Sequence, residues 1–501
     1  MSKIKSLSIS ISTVAVIAAS PAFADVDAQE LWAEWQAQTA FSGQTLTADS
    51  VTETATGLVI TGLTSTSVQG ETTSTGQIDQ VTLTENDDGT LSVGLSEVYR
   101  ITSNTQVQNA PPVSVVMDMR HEGLTITVSG DPGARQYDYS ADALSVTTDQ
   151  ISIAGDTGGD LDISATVNDL LVQYNITGDT PETTSFTSTG GFSSATGTVD
   201  ASSSGGTPGS FKMSFNMGAT TSSGSGTLSS MAAMSQISSG AALPEDFNLE
   251  GQADYERLSY EVTFEEPETS FHMTFANEGG NMAVAFAEGG LTYDLSAQNV
   301  DATVQTSEFP LPIEVSAAST GFLLTLPLMP QPDPSDMALR LDYQELEVND
   351  ALWAMIDPGA AIPRDPASLI VDITGKVQMF VNLMAGDPAA LQGPPGELRE
   401  VTLNELQLSL AGASLEGEGD LDFAAGQVIP MPVGTIDLRA AGLSALLERL
   451  TTAGLLPEEQ AAMARGVSGM FARPGPSPDT LETTIEFLPG GGITANGIPL
   501  Q

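Results

Sequence analysis

Apolar residues recur at every second position over most of this chain. Phe271, Met273 and Phe275 alternate with other residues, Met282, Val284 and Phe286 do the same a few positions on, and "ANEGGN" lies between them. Successive side chains of a strand point to opposite faces, so each run predicts a strand with one apolar face. The intervening turn residues predict a hairpin. Met337, Leu339, Leu341 and Tyr343 read the same way. The longest run is Leu369, Val371, Ile373, Val377, Met379, Val381 and Leu383, interrupted only at Gly375. Unbroken, it would make a strand of roughly 50 Å; the alternative is a bend or bulge at Gly375. Further on, Val401 and Leu403 are odd-numbered, whereas Leu406, Leu408 and Leu410 are even. Such a one-residue slip at Asn404-Glu405 is what a β-bulge produces.

Helical periodicity is confined to a few places. Asp27 to Ala40 predicts a helix with Leu31, Trp32 and Trp35 on one side. Asn349 predicts an N-cap ahead of Leu352, Trp353 and Ile356, with "DPG" at 357–359 as the stop. Leu443, Leu446, Leu447 and Leu450 share a helix face, and Gly454 ends it. Pro457 then opens a helix carrying Met463, Val467, Met470 and Phe471. Residues 186–240 are rich in Ser, Thr and Gly, yet Phe211, Met213, Phe215 and Met217 alternate inside them. That stretch reads as hairpins with long, mobile turns rather than as a linker. The fold class that follows is mainly β: an elongated, coiled, groove-like antiparallel sheet with a few peripheral helices, including a C-terminal helix pair.

The first residues change the picture of where the chain works. Lys3 and Lys5 precede a small-residue apolar core, Leu7 to Ala19, and Ala22-Phe23-Ala24 supplies a cleavage site. Residues 1–24 are therefore expected to be a signal peptide cleaved after Ala24, residues 25–501 one elongated β-rich domain, and the location the periplasm. Cysteine is absent, which excludes disulfides, thiolate metal sites and cysteine nucleophiles. Acidic residues number 64 against 15 basic ones, a net charge of −49, and loss of Lys3 and Lys5 takes it to −51. A surface so acidic repels nucleic acid and anionic headgroups. Adaptation to a salty medium is the expected reason for it, with a cation-binding role as the alternative.

Candidate chemistry is sparse. The two histidines, His121 and His272, give neither a two-His metal site nor a Ser-His-Asp triad, and His272 is expected to point away from the apolar Phe271/Met273 face. Asp156-Thr157-Gly158 matches the aspartic-protease tripeptide, but no second copy exists to share the proton, so it reads as a turn. "ENDDGT" fails as a calcium loop because Thr84 and Leu95 would occupy the carboxylate positions; it reads as a hairpin turn. Asp156, Asp160 and Asp162 form at most an irregular calcium site. The closing "GGGITANGIPLQ" has no basic residue and leads into a strand, so Asn496-Gly497 predicts a tight turn and no phosphate cradle.

Three stretches, "ELWAEWQAQTAFSGQTLTADSV", "LWAMIDPGAAIPRDPASLIVDITG" and "GGGITANGIPL", together resemble a family of exported, mainly alphaproteobacterial proteins known as domain of unknown function 2125. The resemblance spans the mature chain and implies no catalytic residues, since that family has no established activity. A weaker, architectural likeness links the Gly-turn strands, late helix pair and final "NG" strand to AsmA-type periplasmic proteins. It implies a long coiled sheet with an open apolar groove and a role in lipid traffic, although the membrane anchor of that group is missing here.

The reading is a non-enzymatic periplasmic protein that binds lipid or another apolar small molecule along its sheet. Leu369, Val371, Ile373, Val377, Met379, Val381 and Leu383 would line the groove. No cofactor, metal, nucleic acid or stable membrane insertion is expected. The rival readings are a structural or envelope-interaction protein whose sheet is covered by its own helices, and a carboxylate-based hydrolase. A continuous uncovered apolar face separates the first two readings; converging carboxylates in a polar pocket would mark the third.

Overall fold

The computed structural model describes residues 25–106, 112–153, 159–203, 208–234, 243–244, 246–287, 289–309, 311–384, 393–427 and 430–500. The expected signal peptide, residues 1–24, and Asp156-Thr157-Gly158 lie outside them. Among the described residues, twenty-nine strands form one antiparallel sheet. Pairing follows chain order almost throughout, so the architecture is an up-and-down meander. Strands are long: Ala134–Ile153 has 20 residues, about 65 Å of extended chain.

The expected hairpin around "ANEGGN" does not form. Ser270–Asn277 and Gly280–Ala287 do not pair with each other; they lie end to end, both against Gly290–Thr306. Glu278 N donates to Gln298 O and Gln298 N to Gly279 O, so the ladder to the neighbouring strand continues through the break. The glycines kink the strand without reversing it. Similar breaks divide Val113–Glu122 from Thr125–Ser129, Gly209–Met217 from Thr220–Thr227, and Leu249–Tyr255 from Leu258–Glu265. In four unbroken strands a residue with positive φ takes the same place: Gly62, Asp169, Asn299 and Glu345. Together these positions draw a kink line across the sheet.

At Gly62, Asp169 and Asn299 one residue of each paired strand drops out of the ladder, and alternation slips by one so that apolar side chains on either side share a face. Leu58 and Ile60 precede Gly62, and Leu63 follows it; Leu295 and Ala297 precede Asn299, and Val300 and Ala302 follow. The slip expected at Asn404-Glu405 is present, with register shifts between Leu403 and Leu406 and between Asp372 and Ile373. Bulges increase strand twist, which lets a sheet this wide coil.

The N-terminal end of the apolar face is a packed core. Helix α1 (Ala28–Phe41), capped by Asp27, lays Leu31 and Trp32 on Leu58, Ile60, Val81, Leu83, Leu91 and Val128. Arg135, 3% exposed, ties it down through Glu30 and Glu34 at 3.2 and 3.0 Å, and Trp35 Nε1 donates to Tyr137 Oη. Helix α2 (Leu228–Met234) was not predicted; seven residues give too little periodicity to register within the Ser/Thr/Gly-rich segment. That segment otherwise supplies four strands, Ser185–Phe192, Ser194–Ser203, Gly209–Met217 and Thr220–Thr227. Its glycines make room for rings: a Cβ at Gly197 would lie 2.3 Å from the Phe215 ring. Helix α3 (Asp350–Ile356) has Asn349 as its cap, and α4 (Leu443–Thr452) and α5 (Glu458–Phe471) form the C-terminal pair. The chain ends in a tight hairpin, with Asn496 at φ 50° and Gly497 at φ 80° between Ile493–Ala495 and Ile498–Pro499.

A candidate ligand-binding face

Directly paired residues of an antiparallel sheet share a face, so register turns strands into cross-sheet rows. Met282, Leu295, Phe322, Leu341, Val371 and Leu406 form one row over six strands. Val284, Tyr293, Leu324, Leu339, Ile373 and Leu403 form the next, which continues through Gly419, Ile436 and Ile485 to Ala495. On the other side of the kink line, Phe211, Phe264 and Phe271 make a row, as do Phe215, Tyr260 and Phe275. Tyr260 and Phe275 stack at 4.8 Å.

None of the twelve side chains in the first two six-residue runs is buried. Met282 is 39% exposed, Val284 41%, Tyr293 37% and Leu295 39%. Core residues of a sandwich would be near zero, as Ile60 is beneath α1. One edge of the face is covered, where Leu243, Phe247, Met329 and Ala233 of α2 pack on Phe286, Leu249 and Leu291; the C-terminal helices leave the rows above open. In α5, Met463, Val467 and Met470 are 69%, 52% and 60% exposed.

Five of the seven residues expected to line a groove fall on this side of the sheet, four of them uncovered, whereas Met379 is buried at 6% exposure. Leu369, Val371, Ile373, Val377 and Met379 stand in rows with Tyr343, Leu341, Leu339, Ser335 and Gly396 respectively. Val381 and Leu383 do not belong to the strand, which ends at Met379. The chain turns there: Phe380 N donates to Pro395 O, Met384 N to Asn382 Oδ1, and Leu383 N to Leu328 O. Gly375 marks close packing within a continuous strand, since a Cβ there would lie 2.4 Å from Glu400 O. Register shifts flank it at Asp372/Ile373 and Lys376/Val377.

Charge divides the two faces. From the strand Gly159–Thr177 to the strand Ile493–Ala495, and leaving aside kinks and bulges, the apolar rows contain no Asp, Glu, Lys or Arg among the described residues. The opposite face holds the charges, including the row Asp294, Leu323, Arg340, Asp372 and Glu405. Arg340 lies 3.2 Å from Asp342 and 3.4 Å from Asp372. His272 is on this polar face, with Nδ1 3.1 Å from Thr263 Oγ1. Asp162 faces Asp200 there, beside Lys212. Shallow furrows also run over it. One of ≈ 530 Å³ follows the short side chains Ser164, Thr198, Ser214, Thr274 and Thr303, with Glu261 in the same row. These hydroxyls pair locally, as Ser164 with Thr198 at 2.8 Å.

Shifted acid–base equilibria have local causes. Hydrogen bonds from Arg100 hold the Asp118 carboxyl below its ordinary value. Burial alone would raise Asp479, but hydrogen bonds from Ser444 and Ala445 at the start of α4 bring it down. Burial pushes Tyr137 and Tyr174 up to about 12. Among the described residues no three His, Asp or Glu side chains gather as a metal site, and no helix is long and apolar enough to cross a membrane.

The sequence signal for the uncovered face was the parity of apolar positions. Followed across Gly62, Asp169, Asn299 and Glu345 as it was at Asn404, it would have traced the face over nearly the whole sheet. No curated protein and no solved structure matches the chain significantly. A family model described as "Uncharacterized protein conserved in bacteria (DUF2125)" matches residues 255–500, which include the second and third diagnostic stretches but not the N-terminal one. Over residues 255–500, the C-terminal half that carries the widest uncovered rows, the chain belongs to the DUF2125 family.

Proposed function

We propose that the protein is an exported, non-enzymatic periplasmic protein that binds the hydrocarbon chains of lipid along its uncovered sheet face. One observation carries this reading: an apolar, charge-free face that runs from strand to strand with the large side chains of its central rows half-buried or exposed. Monomeric proteins seldom leave contiguous apolar surface of this extent without an occupant. Burying a chain contributes about 0.8 kcal/mol per methylene, so eight sheltered methylenes would supply roughly 6 kcal/mol gross, before the cost of association. That magnitude supports copurification with exchange rather than permanent capture.

The test is lipid extraction and mass spectrometry on protein recovered from the periplasmic fraction, in parallel with Leu341→Glu and Val371→Glu. Both residues sit mid-row on an uncovered face, so each variant is expected to fold and to lose copurifying lipid. Folded variants that retain the lipid of the parent, or a parent that carries none, would count against the reading. Loss of folding in both variants would instead identify the face as an ordinary core. Absence of the protein from the periplasmic fraction would refute export.

A further inference from the structure

Building on the lipid-binding reading, we infer that this face takes the chains of neutral or zwitterionic lipids and discriminates against lipids whose headgroup is net negative. A lipid lying on the sheet by its chains must place its head close to the same surface. The apolar rows offer a phosphate no lysine or arginine between the strands Gly159–Thr177 and Ile493–Ala495. Arg135, which does stand on such a row opposite Ile176, is 3% exposed and already bonded to Glu30, Glu34 and Gly130 O. Cations on the opposite face are held among carboxylates: Arg340 with Asp342 and Asp372, Lys212 with Asp200, Lys376 with Asp336, and Arg439 in a row between Glu416 and Glu482; the bulged Arg399 pairs with Glu397.

Repulsion adds to this missing attraction. Asp372 sits between Val371 and Ile373, and Glu405 beside Leu406, with their side chains on the opposite face. The two faces of one sheet lie closer together than the roughly 8–10 Å over which physiological salt screens charge. The acidic face therefore sets a negative potential over the apolar one. With 64 acidic against 15 basic residues, the whole molecule reinforces it. A potential of a few kT changes occupancy about tenfold per unit charge. A zwitterionic head, with its own cation, escapes most of that penalty.

The experiment offers the purified exported chain two sets of phosphatidylcholine vesicles, with trace pyrene-labelled phosphatidylcholine or trace pyrene-labelled phosphatidylglycerol. Label coeluting with protein is then measured from low salt to about 1 M NaCl, where the screening length falls to about 3 Å. The expected result is capture of labelled phosphatidylcholine at all salts. Phosphatidylglycerol capture should be about tenfold lower at low salt and approach parity as salt rises. Equal capture at low salt, or a difference that salt does not change, overturns the charge discrimination and leaves lipid binding standing. Capture of neither label overturns lipid binding and this inference together.

Discussion

Single residues in this molecule divide between those that close the N-terminal end and those left open along the rest. Tyr137 belongs to the first group. Its ring is 4% exposed and its hydroxyl accepts the Trp35 indole N–H at 3.1 Å. Burial disfavours the phenolate and pushes its pKa to about 12, against about 10 for a free phenol. A folded-state value raised for an acid means stability that is complete below about pH 10 and is lost as pH rises through about 12. The expected outcome is an alkaline transition in that window in which α1 leaves the sheet, seen as a change in Trp fluorescence. Tyr137→Phe, which cannot ionise, should weaken that limb at a cost of about 1 kcal/mol for the lost hydrogen bond. Identical alkaline limbs in parent and variant would show that Tyr137 ionises freely in the fold.

At the scale of elements, the device that recurs is the inserted residue. Where the parity of apolar positions slips along the sequence, a strand that ran on in regular alternation would turn the apolar side chains beyond the slip onto the acidic face. Asn404 shows the consequence most directly, because it bulges between Leu403 and Leu406 and donates to Asp372 Oδ1 and Thr374 Oγ1 at 2.9 and 3.0 Å. Deleting Asn404 leaves Val401, Leu403, Leu406, Leu408 and Leu410 in unbroken alternation, so these side chains should stay on the apolar face and urea unfolding should show a loss of only about 1–2 kcal/mol from the two hydrogen bonds. Asn404→Ser keeps the register and should cost only about 1–2 kcal/mol from the two hydrogen bonds. A loss of about 3 kcal/mol or more on deletion would show that the leucines leave the apolar face when the bulge is removed.

For the whole molecule the governing quantity is charge held on one side. Self-repulsion among carboxylates opposes the compact state and weakens as salt screens it. Thermal melts from low to marine salt should therefore show Tm rising with NaCl. A flat response would mean that the carboxylates are already neutralised by bound cations. Two-sidedness also bears on solubility: the acidic face keeps copies apart by repulsion, which an apolar face of this extent requires if it is not to associate with its own kind.

Much of this was legible in the sequence. Alternation at Phe271–Phe275, Met282–Phe286 and Met337–Tyr343 predicted strands. Asp27, Asn349 and Pro457 predicted helix starts, Asn496-Gly497 the last turn, and the parity slip at Asn404 a bulge; each is local information, settled by backbone sterics and side-chain period. Tertiary structure decided what local pattern leaves open. "ANEGGN" has the residues of a hairpin, yet the ladder of the adjacent strand holds it as a kink. Val381 and Leu383 continue an apolar alternation, yet their backbone bonds go to a turn and to Leu328 because the neighbouring strand ends with Gly396. Periodicity states that a face is apolar. Whether another layer covers it depends on contacts far apart in the chain, such as Arg135 with Glu34, which cover the face at one end and have no counterpart over Leu341 or Val371.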